Sequence, residues 1–241
     1  MMKRTYVIII ILLLGCLLCI DEKIYAMESL GFATEEMPVD EIELFLNNVN
    51  ISPFFAEPSK ESIKCFDVNK NGMIAIGTEK GSDKRVCIYS DTGIFQYGYR
   101  FQTDGSFGVE FDGEVLKIYF VRSDVSVSIN PVGEVQDVSR ICETSENNTY
   151  WNQYVRATSR TVGEYQYILK NDIGILGMFA SSYSQLYQVD RVDNEKLIYD
   201  ANSFQFYDML IKFVGIIVFV SMVAVAIIKE FKKLQKEGMK R

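Results

Sequence analysis

Through the middle of the chain apolar and polar residues alternate in short runs broken by Asn-Gly and Asp-Gly pairs, whereas near both ends the apolar residues fuse into unbroken stretches. The alternation has the period of two that places successive side chains on opposite faces of a strand. It predicts strands over 62–67, 73–78, 85–90 and 94–101, and then over 105–111, 115–121, 124–129 and 134–141. β-branched and aromatic residues are dense in these segments, and the breaks fall at Asn71-Gly72, Asp91-Thr92-Gly93, Asp104-Gly105, Asp112-Gly113 and Asn130-Pro131. Asn-Gly and Asp-Gly supply the positive φ that tight hairpins need. A third, less regular group reads as strands at 164–171, 185–190 and 196–200. Between the second and third groups, Thr144–Ser159 reads as a short helix or loop insertion. Ahead of the first group, Glu41–Asn47 reads as a helical turn and the Pro53 and Pro58 region as a linker.

The first two groups are similar to each other. CIYSDTGIFQYGYRF (87–101) aligns without gaps on VSINPVGEVQDVSRI (127–141), an offset of 40 that matches Gly93 with Gly133, Gln96 with Gln136 and Arg100 with Arg140. Periods near 40 with about four strands per unit are those of propeller blades. The segment FDVNKNGMIAIGTEKGSDKRVCIYSDTGIFQYGYRF resembles blades of the NHL and six-bladed-propeller type, over roughly 62–141 and in degenerate form to about 200. On FGVEFDG, IYFVRSDV and FASSYSQL, the layout also resembles bacterial membrane-anchored proteins with such repeats, a resemblance that implies no particular activity. The expected fold is mainly β: about three antiparallel four-stranded meanders, propeller-like, with an N-terminal signal helix and a C-terminal transmembrane helix. Propellers usually close with about four to eight blades, so three meanders are expected to leave edge strands open.

Phe213–Ile228 is apolar or small throughout, a rise of about 24 Å as a helix. Met209, Leu210 and Ile211, with Lys212 snorkelling, extend it to about 20 residues, enough to span a bilayer. Lys229, Lys232, Lys233, Lys236, Lys240 and Arg241 follow, against Glu230 and Glu237, which predicts a cytoplasmic tail. Near the N-terminus, Lys3 and Arg4 precede the apolar Val7–Ile20, which fits a signal peptide cleaved after Ala26. A lipidated Cys16 and an uncleaved anchor are alternative readings. All three leave 27–208 outside the cytoplasm. The expected parts are 1–26 signal peptide or anchor, 27–61 N-terminal segment, 62–205 β domain, 206–228 transmembrane helix and 229–241 basic tail.

Charge and composition then narrow the function. The two ends, 1–26 and 209–241, carry +1 and +5, so the 182 residues between them hold −13 in a chain whose total is −7. That argues against nucleic acid as a partner. The chain has no His, which excludes Ser-His-Asp and Cys-His nucleophilic pairs and His-ligated zinc. Carboxylate-only chemistry survives this filter. Cys65, Cys87 and Cys142 form no metal motif, and an odd number leaves at least one without an intrachain disulfide.

Four local patterns carry possible chemistry. Asp67-x-Asn69-x-Asn71-Gly72 copies the start of a calcium loop, but its twelfth position is Thr78, so a hairpin turn is the favoured reading. Asn50-Ile51-Ser52 and Asn147-Asn148-Thr149 are glycosylation sequons. Glu110 with Asp112, and Asp190 with Asp193, are carboxylate pairs best read as solvated turn acids. Tyr150, Trp151 and Tyr154 are the best binding patch, with packing against the sheet favoured over recognition. None of these patterns makes a catalytic, cofactor or metal site. The expected protein is a single-pass cell-membrane protein, in contact with membrane lipid, whose extracytoplasmic domain binds a protein partner or its own copies and catalyses nothing. The alternative is an envelope enzyme, a glycan hydrolase or lyase working through carboxylates.

Overall fold

The computed structural model describes residues 31–172, 174, 180 and 182–238; the expected signal peptide lies outside the described residues. Their strands form three antiparallel sheets. The first sheet is the meander β3 (Ile63–Val68), β4 (Ile74–Lys80), β5 (Asp83–Tyr89) and β6 (Phe95–Gln102). The second is β7 (Phe107–Asp112), β8 (Val115–Phe120), β9 (Val125–Ile129) and β10 (Val135–Ile141). The third is β11 (Ser159–Val162), β12 (Tyr165–Lys170), β13 (Gln185–Val189) and β14 (Glu195–Asp200). The strands expected from alternation are present, and the third sheet adds β11, which the sequence reading had left inside and after the insertion.

The N-terminal segment contains the helix expected at Glu41–Asn47, longer than one turn, but departs from the expected linker. Two three-residue strands, β1 (Thr34–Glu36) and β2 (Ser52–Phe54), flank the helix α1 (Val39–Val49). β1 pairs with β10, β2 pairs with β6, and α1 packs Ile42, Phe45, Leu46 and Val49 into the core between the first two sheets. Pro53 is tolerated because β2 is an edge strand with one side free of ladder bonds. The outer edges of two sheets are therefore covered by the chain's own segment, contrary to the expectation of open ends. Among the described residues, the third sheet finishes on β14 with no added strand.

The first sheet lies between the other two, so both of its faces are apolar. Cys65, Ala75, Val86, Ile88, Tyr99 and Phe101 meet Val109, Ile118, Phe120 and Val127 of the second sheet. Ile63, Phe66, Ile74, Ile76 and Tyr89 meet Tyr167, Leu169, Leu186 and Tyr199 of the third. Each such large apolar side chain contributes on the order of 2 kcal/mol by leaving water. A bulge at Gln96 separates Tyr97, which pairs with Ile88, from Phe95, which pairs with Tyr89. The extra residue reverses parity, so Phe95 faces the third sheet while Tyr97 and Tyr99 face the second. A bulge stands at the matching Gln136 of the second sheet.

The hairpins ahead of the fourth strands share one turn. Ser90, Asn130 and Asp190 each receive a backbone bond from the residue three positions on, and Gly93, Gly133 and Asp193 have φ of 84°, 90° and 61°. The Gly133 turn rests on Pro53 and the Gly93 turn on the Ile198 carbonyl, where a Cβ would approach to 2.9 Å.

The insertion forms α2 (Ser145–Tyr150) and a π-helical turn (Trp151–Val155) over the far face of the second sheet. Gly108 allows this, since a Cβ there would lie 2.3 Å from Val155 Cγ1. α3 (Asn202–Gly238) follows β14 after one residue, and its stretch Asn202–Ala224, with mean hydropathy 2.0, is long and apolar enough to cross a membrane. Gln205 is fully buried and donates to the Ser182 carbonyl at 2.8 Å, while Ala201 N–H donates to Ser184 O at 2.7 Å.

Candidate functional site

The first strands of the three meanders, β3, β7 and β11, converge on one buried ion pair. Asp67 of β3 accepts from Arg160 Nε of β11 at 3.0 Å through Oδ1 and from the Phe111 N–H of β7 at 2.7 Å through Oδ2. Both side chains are under 10% exposed, at 3% and 7%. Arg160 also donates from Nη2 to the Tyr154 carbonyl at 2.5 Å, and its guanidinium lies 4.5 Å from the Tyr154 ring centre and 5.5 Å from that of Phe66. One pair thus ties all three sheets to the insertion. Burial pushes the Asp67 carboxyl above its ordinary range, although Arg160 and the Phe111 N–H both pull it down.

Glu110, also buried, points to the insertion side of β7. It accepts from the Tyr119 hydroxyl at 2.5 Å and the Tyr150 hydroxyl at 2.6 Å. Burial first, and then the adjacent Glu110 charge, push the Tyr119 phenol up, so it serves as a donor. Asp112 does not join Glu110: it is exposed and pairs with Lys117 at 2.8 Å. Asp190 and Asp193 likewise belong to one turn, with Asp190 capping the Val192 and Asn194 N–H groups. Bonds from Asn194 and Val192 hold its carboxyl below the ordinary range.

The calcium-like pattern is a hairpin turn. Asn69 Oδ1 accepts from the N–H groups of Asn71 and Met73, its Nδ2 donates to Gly113 O at 3.1 Å, and Asp67 faces Arg160 instead of sharing a loop with them. Among the described residues no group of three His, Cys, Asp or Glu could hold a metal ion. Of the two sequons, Asn50 is exposed at the C-terminus of α1, with φ of 48°. Asn147 is buried, accepts from Ala33 N–H and donates to the Ala33 and Cys142 carbonyls, so its amide locks β1 onto the insertion.

The aromatic trio divides. Tyr150 is buried and stacks on Tyr154 at 5.1 Å, while Phe32 packs edge-on against Tyr119 and Tyr150. Trp151 is half-buried and, with Phe32, Tyr119 and Ile141, walls a 460 Å³ cleft whose polar rim includes Asp124 and Glu143. Cys142 opens on the same cleft. Cys65 and Cys87 are buried free thiols, and burial pushes that of Cys87 up to about 12.

Sequence reasoning missed a second ionic group, near α3. Glu79 at the end of β4 pairs with Lys64 at 2.8 Å and Lys84 at 2.9 Å, and the buried Lys84 also donates to Gly81 O at 2.7 Å. Burial raises the Glu79 carboxyl, but bonds from Lys64 and Lys84 outweigh it and hold the group below its ordinary range. The i to i+5 spacing of Glu79 and Lys84 across a two-residue hairpin is the one local signal that could have found it.

No known family's sequence profile matches this chain, and no curated protein resembles it significantly. The likeness to NHL-type blades therefore rests on the strand and turn pattern alone.

Proposed function

We propose that this chain is a single-pass membrane protein whose β region lies outside the cytoplasm and works by association, through the third sheet. Its three meanders are read as propeller-like blades, with the insertion packed on the far face of the second. The observation that carries the reading is the unequal treatment of the outer edges. β1 and β2 finish the second and first sheets, whereas among the described residues no strand is added to β14, which meets the Asp91–Gly93 turn near Ile198 and leaves Leu197 and the neighbouring turn residue Val192 exposed. Unpaired strand edges accept added strands. The central carboxylates Asp67 and Glu110 are occupied by Arg160 and by tyrosines, which supports binding over catalysis. A photocrosslinker placed at Leu197 in intact cells should give an adduct, whose mass separates a second copy from a different protein. A crosslinker at Ser139, on β10 beneath β1, should give none. Failure of Leu197 to crosslink overturns the association reading.

The second reading, a carboxylate-dependent glycan enzyme, is favoured by Asp124 and Glu143 on the rim of the aromatic cleft. Hydrolysis of envelope glycan by the wild-type chain, lost in Asp124→Asn or Glu143→Gln, would establish it.

A further inference from the structure

The tip of the β4–β5 hairpin faces the first turns of α3 across a 480 Å³ groove. Lys64 and Lys80 line the hairpin side, and Tyr207, Met209, Ile211 and Lys212 line the helix side. Lys212 is the last charged residue before the unbroken apolar run Phe213–Ile228. With that run in the hydrocarbon, the groove stands at the depth of lipid headgroups.

The charge of the groove is opposite to that of the region around it. Lys64, Lys80 and Lys212 line the groove with Glu79 and Asp208, which pair with Lys64 and with Lys212 respectively. The lining carries three lysines against two carboxylates, a net of one positive charge, beside a region that holds −13. Lys80, at the tip of the hairpin, is exposed, and no salt bridge involves it among the described residues. The apolar residues sit on the helix side and continue into the span, with Lys80 on the hairpin side and Lys212 at the start of the span. That order suits a phosphate with acyl chains running down the helix, and not a peptide or a free sugar.

We infer that this groove binds the headgroup of an anionic phospholipid, with Lys80 and Lys212 contacting the phosphate and Tyr207, Met209 and Ile211 against its glycerol and upper chains. The inference rests on the membrane anchoring proposed above. Such a lipid fixes the β region close to the bilayer and holds the hairpin against α3.

The test uses the full-length chain reconstituted in phosphatidylcholine vesicles containing phosphatidylglycerol, followed by native mass spectrometry of the lipid retained. The wild type should keep phosphatidylglycerol in preference to phosphatidylcholine. Lys80→Gln and Lys212→Gln should each reduce that retention about fivefold, the effect expected of one lysine at a charged surface. Lys117→Gln, whose partner is Asp112 on the β7–β8 hairpin, should leave it unchanged. A double variant that folds by near-ultraviolet circular dichroism, resists carbonate extraction and still prefers phosphatidylglycerol overturns the site. Lack of preference in an inserted wild type overturns it equally. Release of the wild type by carbonate overturns the anchor itself, and the site with it.

Discussion

Two carboxylates in this protein each face basic side chains, and their acidities move in opposite directions. Asp67, at the centre of the three sheets, meets Arg160 and a backbone N–H and is nevertheless raised. Glu79, at the hairpin near α3, meets Lys64 and Lys84 and is lowered. The cation count does not explain this alone, because the Asp67–Arg160 geometry is also short. Water access does. The Asp67 side chain is 3% exposed and Glu79 27%, and the desolvation cost grows steeply as the last water is removed. The central pair therefore specifies which sheets meet, at an energetic cost, whereas the peripheral group is a modest net gain.

Removing Arg160 gives the largest expected effect. Arg160→Met leaves Asp67 buried without its cation and releases the Tyr154 carbonyl. The expected loss is about 3–5 kcal/mol in denaturant unfolding. Arg160→Met combined with Asp67→Leu should recover most of that, because a buried pair exchanged for apolar groups is often neutral. A single variant as stable as the wild type would show that the pair does not hold the sheets together.

Much of this architecture was legible in the sequence, and its limits follow from distance along the chain. Asn71-Gly72, Gly93 and Gly133 announce turns because positive φ is a local demand, and each stands where a hairpin was expected. Gln96 and Gln136, matched by the repeat, mark bulges whose parity change the sequence does not state. The Arg160–Asp67 pair spans 93 residues and no local pattern signals it. β1 and β2 are three residues each, and their pairing with β10 and β6 comes from tertiary packing. Asn147 reads as a sequon in the sequence and as a structural clamp in the fold, because only the fold brings Ala33 beside it.

Asp67→Asn separates charge from shape at the centre, with a smaller expected effect than loss of Arg160. Asn can still accept from the Phe111 N–H. The native state of the wild type holds the Asp67 proton more tightly than the unfolded chain does. Its contribution to stability is therefore complete below the ordinary value of 3.8 and is lost as pH rises through the raised folded value. Relative to Asp67→Asn, the wild type should gain stability as pH falls through that window and level off below it. A wild-type advantage that shrinks on acidification would mean that Arg160 outweighs desolvation.

Glu79→Gln should show the opposite pH dependence with the smallest amplitude. The folded pKa of Glu79 lies below the ordinary 4.5, so its contribution is present above 4.5 and disappears as pH falls through the folded value. The group is partly exposed, so the expected cost of Glu79→Gln at neutral pH is about 1 kcal/mol or less. Salt should reduce it further, since the screening length is about 10 Å at 0.1 M. Lys84 sets the lower bound on the effect: it is buried and keeps its bond to the Gly81 carbonyl when Glu79 is neutral, so some of the hairpin's order survives. Thermal melting of wild type and variant at neutral and acidic pH, each at low and high salt, reads both dependences. If Glu79→Gln matched Asp67→Asn in the sign of its pH dependence, exposure would not be what separates the two carboxylates, and the contrast between centre and periphery would need another cause.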